Sequence, residues 1–121
     1  MLNFDYICME YGQKIGQIRN DKLETNLGKA LGILQEDGVY AMFLWLQEKS
    51  KDIRETLVKM LNEKEELKKY FQNGSEKFPE DFREFCEKLK EVAKDIDKLL
   101  FMKKILERTL TYALYHAKIG E

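Results

Sequence analysis

Histidine, tryptophan and proline occur once each in this chain of 121 residues, cysteine occurs twice, and no stretch of eighteen uncharged apolar residues is present. Each scarcity excludes something. With His116 alone, a Ser-His-Asp or Cys-His constellation has one possible base and no nucleophile motif beside it. Cys8 and Cys86 are too few and too far apart for a disulfide framework or a zinc site, and read as two reduced thiols of a cytoplasmic protein. There is no Glu-x-x-His pair for a di-metal bundle and no glycine-rich phosphate loop, so neither a metal nor a cofactor is expected. The carboxylates are scattered beside lysines on solvated faces, so no general acid stands out and no catalytic residue is assigned. No membrane span is expected, and the opening MLNFDYICMEYGQ lacks the basic and apolar regions of a secretory signal.

What is present is apolar and charged in helical register. Apolar residues make up 44% and charged residues 36%, against about 25% charged in ordinary domains. Leu, Lys and Glu dominate while Val and Thr are few, which favours helix over sheet. The most apolar run, Leu27 to Leu46, reads as the organising core. Leu27, Ala30, Leu31 and Leu34 repeat at i, i+3, i+4 and i+7, and Val39, Met42, Phe43 and Leu46 do so again after Asp37-Gly38. Tyr40, Ala41, Leu44 and Trp45 fill the opposite face of the second piece, so that helix is expected to be covered on both sides.

Around it the spacing predicts a first helix over 4–19, in which Gly12 and Gly16 mark either weakness or the close approach of another helix. Helices follow over about 22–35, 39–49 and 51–72, the last capped by Ser50 and ended by Asn73-Gly74-Ser75. Phe78-Pro79-Glu80-Asp81 opens the next, with Pro79 at its first position. An apolar stripe then runs from Phe82 through Phe85, Leu89, Val92, Ile96 and Leu99 to Ala117, with a restart expected near Asp95–Asp97 and an end at Gly120. The expected architecture is all-α: one domain over 1–121, a compact bundle of five to six helices.

The net charge of −1 carries no global signature for nucleic acid, but the distribution is uneven. Residues 1–50 hold five basic and seven acidic side chains, whereas Lys98 to Lys118 holds five basic and one acidic. Lys104, Arg108, Tyr112 and Tyr115 step by four, four and three along the last helix. Such a strip suits a phosphate backbone, and Tyr112 and Tyr115 offer stacking surfaces for single-stranded bases. Cations near a helix C-terminus also have a purely structural explanation. An enzymatic alternative uses the same helix: small HEPN ribonucleases or toxins carry Arg, a polar residue and then His, and here Arg108 and His116 lie eight residues apart on one face. A helical protein–protein adaptor without nucleic acid is the third possibility.

Two stretches carry a family resemblance. LGILQEDGVYAMFL over 31–44 is an apolar helix, a polar-Gly break and an aromatic-bearing helix, and LLFMKKILER over 99–108 mixes leucines with Lys and Arg. Together they resemble the small helical subunit of type III-B CRISPR RNA-targeting effectors, the Cmr complexes; the equivalent type III-A (Csm) subunit is also similar. The resemblance implies a non-catalytic, all-α subunit of antiviral defence. Copies of it stack into a minor filament beside other effector subunits and contact the backbones of guide RNA and target RNA. It places the backbone contacts at Lys103, Lys104 and Arg108, with Arg19, Lys22 and Lys29 as a second group near the first interhelical junction.

Overall fold

A computed structural model of the chain describes residues 3–72 and 77–120, and among them seven α-helices and no strand. They are α1 (Phe4–Gly16), α2 (Leu23–Asp37), α3 (Val39–Lys49), α4 (Lys51–Glu63), α5 (Glu65–Gln72), α6 (Phe82–Ala93) and α7 (Ile96–Ile119). The all-α expectation is met, but the helix number exceeds the five to six read from spacing. The extra helix comes from the stretch 51–72, which breaks at Lys64, where the backbone turns extended at φ −86° and ψ 111°. Tertiary contacts set this break. The Lys64 ammonium pairs with Glu10 of α1 at 2.7 Å, while the Lys64 carbonyl starts α5 by accepting from the Leu67 and Lys68 N–H groups. The expected stop at Asn73-Gly74-Ser75 lies outside the described residues.

The helix ends follow local chemistry. The Asn3 side chain accepts from the Tyr6 N–H to start α1, and Asp95 accepts from the Asp97 and Lys98 N–H groups to start α7, where a restart was expected. Gly38 sits at φ +98°, a backbone that only glycine adopts cheaply; its N–H closes α2 on Ile33 and Leu34 while its carbonyl opens α3. Two caps differ from expectation. Ser50 holds the cap position of α4 but its side chain makes no capping bond. Helix α6 begins at Phe82, not Pro79, because Asp81 is the residue whose carboxylate receives the Glu84 N–H. The preceding Phe78 is buried and strapped to α4, its N–H donating to Asn62 Oδ1 (2.7 Å) and its carbonyl accepting from Asn62 Nδ2 (3.0 Å).

The core collects the expected stripes: Leu27, Ala30 and Leu34 of α2, Val39, Met42, Phe43 and Leu46 of α3, Ile53, Leu57 and Leu61 of α4, Phe85 and Leu89 of α6, and Met102, Leu106 and Leu110 of α7. Ile96 departs from its stripe and is exposed. The hub is not the Leu27–Leu46 stretch but α7, which packs on α1, α2, α3 and α6. Helix α3 departs from expectation in part: Ala41 and Trp45 are half-buried, but Tyr40 and Leu44 are 40% and 47% exposed.

The most extensive pairing joins α1 and α7. The Cys8 thiol meets the Ile105 carbonyl, Gly12 lies under Tyr112, and Gly16 lies under His116, so the two helices run parallel. A Cβ built on Gly12 would stand 2.6 Å from Tyr112 Cβ, and one on Gly16 would stand 2.5 Å from His116 Cβ. Of the two readings of these glycines, close helix approach is the one the fold uses.

Candidate nucleic-acid interface

Helix α7 spans 24 residues, about 36 Å at 1.5 Å per residue, and its inner face is spent on the core. Its outer face carries Lys104, Arg108, Tyr115 and Lys118, all exposed, with Tyr115 at 63%. These residues step by four, seven and three, which keeps them on one side of the helix. The strip read from the sequence is therefore on the surface over Lys104, Arg108 and Tyr115. Tyr112 is not an open stacking platform. It is half-buried against α1, and its hydroxyl donates to Asp5 Oδ1 at 2.6 Å.

The same Asp5 oxygen receives Arg108 Nη1 at 3.0 Å. One carboxylate of the first helix thus holds two side chains of the last. The hydrogen bond to Asp5 pushes the Tyr112 phenol above its ordinary range, with burial adding to it. The Arg108 side chain remains about half exposed, so its pair with Asp5 contributes roughly 0–1 kcal/mol. A phosphate reaching Arg108 has to compete with Asp5. No sequence signal marks this partner, because Asp5 lies 103 residues away.

The remaining cations are dispersed. Lys103 is half-buried, and its ammonium donates to the Gln35 carbonyl (3.3 Å), satisfying the C-terminal end of α2. Arg19 and Lys22 are exposed in the α1–α2 connection, beyond Gly16 and so beside the far end of α7, near His116. His116 lies thirteen steps along α7 from Lys103, about 20 Å, so these two do not join the Lys103 group in one patch. Lys29 is exposed midway along α2, beside a shallow groove with Gly32, Ile33 and Trp45. Arg108 and His116 stand about 12 Å apart along α7, the first held by Asp5 and the second packed over Gly16.

A second polar seam ties α1 to the end of α4 and its cap Lys64. The buried Tyr11 donates its hydroxyl to Glu63 Oε1 at 2.6 Å, and the Lys14 and Lys64 ammonium groups lie 4.4 and 5.7 Å from its ring centroid. Burial first, and then the Glu63 bond, raise the Tyr11 phenol. The Tyr11 hydroxyl lowers Glu63, and the Lys64 ammonium lowers Glu10. Burial also raises the Cys8 thiol, which keeps it protonated and inert. Among the described residues no cluster of three or more His, Cys, Asp or Glu side chains could hold a metal ion, and no helix is long and apolar enough to cross a membrane.

No family model matches the chain, and no curated protein or solved structure matches it either.

Proposed function

We propose that this chain is a non-catalytic small subunit of a type III CRISPR ribonucleoprotein effector, contacting the backbones of guide and target RNA through the outer face of α7. The observation that supports an RNA contact is the exposed strip of Lys104, Arg108, Tyr115 and Lys118 on a helix whose acidic side chains from Lys98 onward number one, Glu107. The resemblance carried by the stretches over 31–44 and 99–108 supports the type III effector setting and the stacking of copies in a minor filament, and the two cysteines read as reduced thiols support a cytoplasmic location. Contacts to so few phosphates make binding by one copy weak and strongly salt-dependent, and several copies along one RNA multiply it.

Affinity purification from the source cell at moderate salt tests the reading, with mass spectrometry of co-eluting proteins and sequencing of bound RNA. Effector subunits and guide RNA are expected; recovery of the chain alone sinks it. Within the assembled complex, joint replacement of Lys104 and Arg108 by Glu lowers RNA retention, whereas Asp5→Asn releases Arg108 and raises it. The exposed Tyr40 and Leu44 on α3 favour a second reading, a helical adaptor, in which the same purification recovers protein partners without RNA.

A further inference from the structure

Helix α3 folds back along α2 after Gly38, and the two leave a shallow outward groove of about 310 Å³ lined by Lys29, Gly32, Ile33, Glu36 and Asp37 of α2 and Trp45 of α3. Ile33 and Trp45 are only half-buried there, and Ala41, Leu44 and Tyr40 continue the apolar surface along α3. Gly32 sets no side chain in the way, since nothing lies within 4 Å of a Cβ built on it. The spacing of α3 predicts a helix covered all round, and the chain itself leaves Tyr40 and Leu44 open.

The charges around the groove select what fits it. Lys29 and Glu36 stand seven residues, about 10 Å, apart on one side of α2, with Gly32 and Ile33 midway between them. Among the described residues, no ion pair or side-chain hydrogen bond within the chain engages Lys29, Glu36 or Asp37. A wholly acidic partner is repelled by Glu36 and Asp37, and a wholly basic one by Lys29. A partner whose charges run in reverse order at the same spacing satisfies both ends, and a second copy turned end for end has that order. Laid antiparallel about the Gly32–Ile33 midpoint, each Lys29 stands against the copy's Glu36, each Gly32 receives the copy's Ile33, and the two Trp45 side chains flank the centre. A copy laid parallel in register sets Lys29 on Lys29 and Glu36 on Glu36 instead.

We propose that the α2–α3 groove docks a second copy of this chain, antiparallel and two-fold symmetric, with the pairing of Lys29 and Glu36 setting the register. Such a contact uses the same patch on both copies and closes on itself. It is confined to two short helices, so the dimer is weak and forms reversibly with concentration. The pairing gives Lys29 to the copy rather than to RNA and leaves the α7 strip open. It therefore stands or falls apart from the RNA reading.

Sedimentation velocity on the full chain, followed from micromolar to millimolar concentration, tests the pairing. A reversible monomer–dimer equilibrium is the expected result. Lys29→Glu and Glu36→Lys each set like charges together at both ends of the contact, so each weakens the dimer by at least about tenfold. The double variant Lys29→Glu/Glu36→Lys restores it, and the two single variants mixed in equal amounts pair with each other more tightly than either pairs with itself. Both residues are exposed, so the circular dichroism of the monomer stays unchanged in every variant. A chain that remains monomeric at every concentration overturns the proposal. Self-association that the single reversals leave intact, or that the double reversal does not restore, also overturns it, because the contact then lies elsewhere.

Discussion

Gly12 and Gly16 on α1 have the same four-residue spacing as Gly28 and Gly32 on α2, and the fold treats the two pairs in opposite ways. On α1 the glycines are notches. The Cβ atoms of Tyr112 and His116 occupy the space where glycine side chains would be, and the α7 backbone follows within 3.0–3.1 Å of the built Cβ positions. On α2 the same spacing faces open space, with nothing within 4 Å of a Cβ built at either position. A small-xxx-small pattern is thus permission for close approach, and a partner helix decides whether it is used. Helix α1 has that partner; the Gly28–Gly32 face of α2 looks outward beside Trp45 and Lys29.

Alanine substitution is the most direct way to break this contrast. Gly12→Ala and Gly16→Ala each force α1 and α7 apart, and each is expected to lower stability by about 2–3 kcal/mol in denaturant titration. Gly28→Ala and Gly32→Ala should do the reverse, raising stability by up to about 1 kcal/mol each, since they gain helix propensity at no steric cost. A loss of stability at Gly28 or Gly32 that deepens with protein concentration would mean that this face is covered by another copy in solution.

A smaller effect sharpens the comparison through the polar seam that α1 has and α2 lacks. Tyr11→Phe removes the hydroxyl that donates to Glu63, and is expected to cost about 1 kcal/mol by the same titration.

The smallest effects come from pH. Tyr11 and Tyr112 have phenols raised in the fold, so their contribution is complete below the ordinary tyrosine value near 10 and is lost as pH rises beyond it. Glu10 and Glu63 are lowered in the fold, so their contribution is present above the ordinary carboxyl value near 4 and is lost as pH falls through their depressed values. A melting profile against pH should therefore fall at both ends, with the raised Cys8 thiol joining the alkaline edge from the ordinary thiol value near 8.5, and Tyr11→Phe should soften that edge.

The parts of this fold legible in the sequence are those governed by neighbours along the chain. Helix α3 is expected over 39–49 and occupies Val39–Lys49 because Gly38 before it and the extended Ser50 after it act locally. The apolar registers of α2, α4 and α6 are likewise properties of each helix alone. The break at Lys64 was not legible: it lies in a charged, glycine-free run, and its cause is an ion pair with α1 together with the Asn62 strap to Phe78. The outer placement of Lys104 and Arg108 follows from their register against Leu106 and Leu110. That Arg108 and Tyr112 share Asp5 depends on how α1 lies along α7, which no periodicity contains.

The parallel course of α1 and α7 has a mechanical consequence. Asn3 lies at the end where Phe4 meets Phe101, and Gly120 lies beyond the end where Gly16 meets His116. Force applied between Asn3 and Gly120 therefore loads the largest helix pair in shear. Peeling is not available: Tyr112 and His116 must leave their notches together, and the Asp5 clamp must release in the same step. Copies joined end to end through these two residues would transmit tension along this pair as a rod does, with extension deferred until the whole seam slips.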